Sequence, residues 1–384
     1  MSWKKAKISE ICCGIYDGPH ATPPVSDDGA IFLGISNITP DGHLDLSDPK
    51  YISENDFPKW TKRVTPQAGD IVFSYEATLN LYAIIPVGFR GCLGRRMALI
   101  RPYEEKVLGK FLYYYFFSDE WRGTIAENTV IGATVDRIPL IRFPEFPVSF
   151  PSIEKQRIIA DILSAYDGLI ENNQQQIKLL EEAAQRLYKE WFVDLRFPGH
   201  ETTPIVDGVP EGWEKVEVGT CIAKVARTKQ VMTAELLEVG RIPVVDQSRS
   251  FVAGYTNDEE TIVDLGIPII VFGDHTRVLK YIQFPFAKGA DGTQLIVTNN
   301  EKMPQSLFYC SLVNVDLSNY HYARHFKYLK AEEILLPSLD VAHQFDGVVS
   351  PLFEQVQMLR DKCKLATEAR DRLLPKLMSG EIEV

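Results

Sequence analysis

Seam positions in two stretches of the chain, apolar in nine of ten cases in each, recur with alternating spacings of four and three. In the first stretch they are Ile159, Leu163, Tyr166, Ile170, Asn173, Ile177, Leu180, Ala184, Leu187 and Trp191. In the second they are Phe345, Val349, Leu352, Val356, Leu359, Cys363, Ala366, Arg370, Leu373 and Leu377. A repeat of 3.5 residues marks a narrow seam between two helices. Glu171, Gln174, Gln175, Lys178 and Glu182 fill the polar positions between. The two stretches are copies of each other. Pro151-Ser152-Ile153-Glu154 returns as Pro337-Ser338-Leu339-Asp340, and the offset of 186 holds without a gap for about forty residues, taking Leu163 to Val349 and Leu187 to Leu373.

Both stretches carry helix start signals. Ser152 and Ser338 can cap first-turn amides, each after a proline, and Glu154 and Asp340 sit where the helix dipole favours negative charge. The first helix is expected to end near Phe197-Pro198-Gly199 and the second at Ser379-Gly380, with Pro375 kinking or ending it early. Forty helical residues extend about 60 Å. One such helix alone would leave its seam wet, so the simplest partner for each is the other copy, with Asn173 helping to fix register.

The remaining segments, 1–150 and 201–337, follow a different pattern. Short apolar runs, among them Ile31-Phe32-Leu33, Ile71-Val72-Phe73, Met97-Ala98-Leu99-Ile100 and Ile267-Pro268-Ile269-Ile270-Val271-Phe272, are punctuated by Gly, Pro, Asn and Asp. This predicts β-rich mixed architecture with long loops and one helix over 110–117. Residues 197–212 hold Pro198, Gly199, Pro204, Gly208, Pro210 and Gly212 and read as a linker. The chain thus divides as block 1–150, helix 151–200, block 201–337, helix 338–384.

Composition adds little to this until charge is considered. With 384 residues, 45% hydrophobic and 24% charged, the chain is an ordinary globular one. No apolar run could cross a bilayer, and no signal core follows Met1, so a cytoplasmic location is expected. The six cysteines form no C-x-x-C pair and read as reduced thiols. The net charge of −11, with each of the four segments negative, is awkward for nucleic-acid binding. Local basic patches remain: Lys62-Arg63; Arg90, Arg95, Arg96 and Arg101; Arg227, Lys229 and Arg241; Arg249, Arg277 and Lys280; and Arg324, Lys327 and Lys330, interleaved with Tyr320, Tyr322, Phe326 and Tyr328. Arginine can read guanine bidentately and Gln can read adenine, which is the chemistry of Gln247-Ser248-Arg249.

No catalytic motif accompanies these patches. There is no phosphate-binding G-x-x-x-x-G-K-[ST], no G-x-G-x-x-G after a strand, no H-E-x-x-H and no nucleophile motif. Glu104-Glu105-Lys106 lacks the preceding Pro-Asp of a nuclease signature. His321 and His325 have a metal-compatible spacing but no acidic third ligand nearby, which favours a polar helix face or a phosphate-facing patch. The chain reads as non-catalytic.

Several of these segments resemble the specificity subunit of type I restriction–modification enzymes. The resemblance spans essentially the whole chain. It is strongest in 151–197, notably Ile158–Leu163, Leu179–Glu182 and Lys189–Asp194, and in the tail 373–382. In the first block Asp17-Gly18-Pro19-His20, Gly69-Asp70-Ile71 and Gly132-Ala133-Thr134 look like that family's target recognition domains. So do Val244–Ser248, Phe272–Thr276 and Gly289–Thr293 in the second.

The resemblance implies an α+β fold: two β-rich α/β target recognition domains joined by two long α-helices that pair as an antiparallel coiled coil, in a pseudo-two-fold repeat. It implies that each domain reads half of a split, asymmetric site in double-stranded DNA, while the helices set the gap between the halves. Half-sites one helical turn apart lie about 34–36 Å apart, within reach of such helices. The partners implied are modification (methyltransferase) subunits, two of them, and a restriction subunit. S-adenosylmethionine, ATP and Mg would sit on those partners and none in this chain. Candidate DNA contacts are Lys62, Arg63, Arg90, Arg95, Arg96, Gln247, Arg249, His275, Arg277, Lys280, Lys288, Arg324 and Lys327. The spacer seam comprises Leu163, Ile170, Asn173, Ile177, Leu180, Leu187, Val349, Val356, Leu359 and Leu373. A reading from another class is a protein-binding coiled-coil scaffold that never touches bases; a self-contained methyltransferase has no motif behind it.

Overall fold

The computed structural model describes residues 3–132, 135–290, 292–319 and 324–384. It is a mixed α+β chain with two long helices, Ile153–Tyr188 and Leu339–Ser379. Its two compact units do not follow chain order: one comprises Met1–Ile170 with Lys364–Val384, the other Glu171–Cys363. Each long helix therefore contributes one part to each unit.

In the first unit, strands β1 (Lys4–Lys7), β2 (Cys12–Asp17), β3 (Ala30–Leu33), β4 (Lys50–Ile52), β5 (Ile71–Ser74), β6 (Tyr82–Ile84), β7 (Gly91–Leu93), β8 (Met97–Pro102) and β9 (Pro147–Phe150) form three small sheets. Their orders are β2-β8-β5-β6, β4-β3-β7 and β1-β9. Among the described residues of this unit only β3 and β7 are paired strands that run parallel, with Ile31 beside Gly91. The run Ile71-Val72-Phe73-Ser74 is buried throughout, as a strand covered on both faces must be. Helices α1 (Ile8–Ile11), α2 (Phe57–Trp60), α3 (Gly109–Tyr115), α4 (Asp119–Asn128) and the start of α5 (Ile153–Tyr188) complete the unit with the end of the last helix. Its core joins Phe73, Tyr82, Phe111, Phe116, Trp121 and Phe143 to Leu163, Leu377 and Met378 of the long helices.

The second unit repeats this plan. After the hairpin β10 (Ile205–Val206) and β11 (Val209–Pro210) come β12 (Glu214–Glu217), β13 (Ile242–Val245), β14 (Gly254–Thr256), β15 (Ile262–Val263), β16 (Ile269–Gly273), β17 (Leu279–Ile282), β18 (Phe286–Lys288), β19 (Thr293–Ile296) and β20 (Glu333–Leu336). The sheet orders are β14-β13-β18-β15, β17-β16-β19 and β12-β20, and again one pair, β13 and β18, is parallel. Helices α6 (Gln305–Val313), α7 (His325–Ala331) and α8 (Leu339–Ser379) follow. Strand β20 lies 186 residues after β9, so the duplication seen in the helices begins one strand earlier. The core gathers Ile270, Phe272, Phe308 and Phe345 with Ala184, Val349 and Phe353.

Every seam position of the long helices is buried or half-buried. In the first unit Asp167 of α5 meets Arg370 of α8 at 2.7 Å, and Leu163 shares a core with Leu377. In the second, Asn173 faces the Cys363 thiol, Glu181 meets Arg360 at 2.6 Å, and Tyr188 packs edge-on to Phe345. Within each unit, residue number rises on one helix as it falls on the other, so the two run antiparallel.

Three sequence expectations need correction here. The α-helix ends at Tyr188 and a π-helical turn, Lys189–Val193, ends before Phe197. Leu195 takes a left-handed φ of 56°, and Arg196 returns its N–H to the Glu190 carbonyl at 2.8 Å, which closes the helix. Pro375 does not end α8, which runs to Ser379. The proline lies on an exposed face, where water can satisfy the carbonyl it leaves unpaired, and Leu377 and Met378 beyond it are anchored in the core. Residues 197–212, read as a linker into the second block, are folded into the second unit, where Phe197 is buried against Trp213 with ring centroids 4.5 Å apart.

Candidate nucleic-acid interface

Strand ends place the candidate side chains. In the first unit the turn after β7 begins at Gly94, whose N–H reaches the Leu33 carbonyl at the end of β3 (2.7 Å). Tyr75, just after β5, closes the same turn: its N–H reaches the Arg96 carbonyl at 3.2 Å and its hydroxyl donates to the Arg95 carbonyl at 3.1 Å. The Tyr75 hydroxyl also lies 3.5 Å from His20 Nδ1. Burial, then the charges of Asp17 and Glu76, raise its pKa. Asp17 pairs with His20 at 3.0 Å and with Arg63. Arg96 lies 3.8 Å from Glu76. Thus Arg63, Arg95, Arg96 and His20 are gathered at one sheet edge, with exposed Lys62 beside Arg63.

Arg90 does not join them. It precedes β7, whereas Arg95 and Arg96 follow it, and its guanidinium is taken by Glu54 and by the Phe57 ring, 4.3 Å from the ring centroid. That is a local clasp, removed by the strand's length from the basic edge.

The second unit uses the corresponding edge. Gly289 after β18 donates to the Val245 carbonyl at the end of β13 (2.8 Å), and Asp274 after β16 donates to the Gly292 carbonyl (2.7 Å). These bonds match Gly94 to Leu33 and Tyr75 to Arg96. Asp274 is buried, and its carbonyl and carboxylate accept the N–H groups of His325 and Phe326 at 2.9 and 2.8 Å. His275 donates its N–H to the Gln247 side-chain oxygen (3.1 Å), and Thr276 donates its hydroxyl to the Gln247 carbonyl (2.6 Å). Gln247, Arg249, His275 and Arg324 therefore share one edge, with half-buried Lys288 on the strand before Gly289 and exposed Lys327 on α7. Burial lowers the Lys288 pKa.

Two candidates have structural duties. Arg277 sits at φ 62° in the turn after β16 and donates to the Leu317 carbonyl at 2.9 Å, tying that loop down. Lys280 is 4% exposed, so the expectation of a surface contact needs correction. Its ammonium is spent on the carbonyls of Asp246 (2.8 Å) and Ser250 (2.5 Å). The patch around Lys229 and Arg241 is neutralised by Asp258 at 2.6 Å and Glu259 at 3.2 Å. His325 is buried with its Nδ1 on the Asp274 carbonyl. His321, Tyr320, Tyr322, Ala133-Thr134 and Asp291 lie outside the described residues. Among the described residues no group of three metal-ligating side chains occurs, and no helix is long and apolar enough to cross a membrane.

Sequence reasoning missed Tyr75 and Asp274 as organisers of the two edges. Asp274 lay inside a motif already singled out, Phe272–Thr276, but Tyr75 carried no local signal. The shared role of the two residues appears only when strand ends are superimposed by topology.

Comparison with known proteins agrees with this plan. Residues 28–182 match the model of the type I restriction modification DNA specificity domain. The chain is similar to the type I restriction enzyme MjaIX specificity subunit of Methanocaldococcus jannaschii, with 25% identity over 87% of this chain and 82% of that protein. It is also similar to the putative MjaX specificity subunit of the same organism, 23% identical over 100% of this chain and 94% of the other. A crystal structure of a type I restriction–modification S subunit from M. genitalium shares the fold, with a TM-score of 0.56, 17% identity and coverage of 98% and 96%. A strand plan built twice, a duplicated long helix and these likenesses agree: residues 28–182 match the type I restriction modification DNA specificity domain, and the chain is similar over most of its length to type I restriction enzyme specificity subunits.

Proposed function

We propose that this chain reads a bipartite, asymmetric site in double-stranded DNA, with residues 1–150 and 201–337 each recognising one half. The observation that carries this reading is the repeated edge. Both units bring Arg, Gln or His side chains to the same strand ends, on turns closed by the same pair of backbone hydrogen bonds. Bidentate Arg and Gln contacts are the groups that tell base pairs apart in the major groove.

The helices 151–200 and 338–384 act as the spacer, paired as an antiparallel coiled coil. The antiparallel contacts found within each unit support this. They also scaffold two modification subunits and a restriction subunit. Leu179 and Leu365, 186 residues apart, are 54% and 64% exposed, and exposed leucines at equivalent places on the two helices suit two like partners. Methylation of adenine with S-adenosylmethionine, and ATP- and Mg-dependent cleavage, take place on those partners. With a net charge of −11, the chain relies on them for much of the phosphate neutralisation.

The test is an exchange of residues 1–150 for the corresponding block of another specificity subunit, followed by methylome sequencing of cells that also express the modification subunit. One half of the methylated site should change and the other stay. A simultaneous change in both halves would defeat the two-reader assignment. The competing reading, a scaffold without base contact, predicts that the purified complex shows no salt-dependent preference for any DNA sequence.

A further inference from the structure

Lys280 occupies a position that a phosphate contact could not. It points inward from β17, and its ammonium bridges two backbone carbonyls, those of Asp246 and Ser250. These carbonyls flank Gln247-Ser248-Arg249 on either side. The Asp246 carboxylate, 3.8 Å from the same ammonium, turns back on the loop and accepts the N–H and hydroxyl of Ser248 at 2.9 and 2.5 Å. Burial holds the lysine's pKa below its ordinary value, so the charge is kept there against a desolvation cost.

The far end of the loop is fixed independently. Phe251 lies under the Arg360 guanidinium, 3.9 Å from the ring centroid, and packs edge-on to Phe284. Arg360 comes from α8 and is itself held by Glu181 of α5. The segment from Asp246 to Phe251 is therefore pinned at its base by a lysine and at its end by the helices. Arg249 is exposed between the two pins.

We propose that Lys280 and Arg360 are positioning residues of the second recognition unit, which fix the 246–251 loop so that Gln247 and Arg249 meet base edges in one register. The assignment rests on the reading that this edge faces DNA. It makes Lys280 a determinant of specificity and takes it out of the set of direct contacts. The same loop is also tied to the helices, so its position follows theirs.

The experiment uses the full chain assembled with its modification subunit and the duplex identified by methylome sequencing. Binding is measured across a salt series for that duplex and for duplexes altered by one base pair in either half. Lys280→Met keeps the aliphatic stem and removes the ammonium. It should cut discrimination in the half read by the second unit about ten-fold, the scale of one lost bidentate base contact. Discrimination in the other half and the slope of affinity against salt should not move. Arg360→Gln, which frees Phe251 without touching β17, should give a smaller loss confined to the same half, and it keeps the test open if Lys280→Met fails to fold. A salt slope shallower by about one with discrimination intact would mean that Lys280 is a phosphate contact after all. Equal losses in both halves, or no loss in either, would also overturn the proposal. If the unaltered complex shows no sequence preference, the reading of the edge itself fails, which is a separate result.

Discussion

The junctions that join each globular part to the long helices occupy equivalent places and are built from opposite chemistry. In the first unit, Asp167 and Arg370 form an ion pair with side chains 14% and 10% exposed, and Tyr114 of α3 donates its hydroxyl to the same carboxylate. Burial alone would lower the Arg370 pKa, but the bonds to Asp167 outweigh it and raise it. Burial and the Asp167 carboxylate together raise the Tyr114 pKa. Shifted by 186, Asp167 becomes Phe353 and Arg370 becomes Ala184. In the second unit Phe353 and Ala184 lie in the core, and Tyr309 of α6 packs on the Phe353 ring with centroids 5.4 Å apart.

The contrast shows how two near-copies can be kept distinct. An apolar junction gains from burying area and accepts any stripe of suitable shape. A buried ion pair adds little net stability but penalises any partner that leaves one charge alone. The one basic residue in the second seam, Arg370, is thus explained by a single carboxylate on the other helix.

Changes that break the match should cost most. Phe353→Asp removes a large buried ring and leaves an unpaired carboxylate in the second core, an expected loss above about 4 kcal/mol in denaturant unfolding of the full chain. Retention of a wild-type midpoint would show that this position is not a core position. Next comes Arg370→Ala, which strands Asp167 beside the Tyr114 hydroxyl and should cost about 3–5 kcal/mol. Giving the first junction the second's residues, Asp167→Phe with Arg370→Ala, should recover most of that loss, to within about 1–2 kcal/mol of the unaltered chain. A double variant as unstable as the single one would mean that shape, rather than charge, separates the junctions. The smallest effect compares the tyrosines: Tyr114→Phe loses a charge-assisted bond worth about 1.5–3 kcal/mol, whereas Tyr309→Phe keeps its ring packing and should change stability by less than about 0.5 kcal/mol. Equal effects would erase the distinction.

Much of the architecture was legible in the sequence because it repeats. The seam from Ile159 to Trp191, its copy from Phe345 to Leu377, and the apolar runs that became β3, β5, β8 and β16 are patterns of single residues against water. The helix over 110–117 appears as α3 for the same reason. The edges were harder. Arg95 and Arg96 were found as charges, but so was Arg90, and only β7 separates the basic edge from a clasp with Glu54. Lys280 looked like a surface cation because nothing local announces the two carbonyls, 30 and 34 residues away in sequence, that its ammonium serves.

Taken by itself, the sequence determined the duplicated helices, the β-rich block that precedes each of them and the family to which they point, because periodicity, offset and motif spacing are properties of the chain read in order. The tertiary structure alone decided which cations face outward, which carboxylate answers Arg370, and that a buried lysine shapes the 246–251 loop. Those outcomes depend on burial and on partners brought together from distant parts of the chain, and a charge's role is set by what surrounds it.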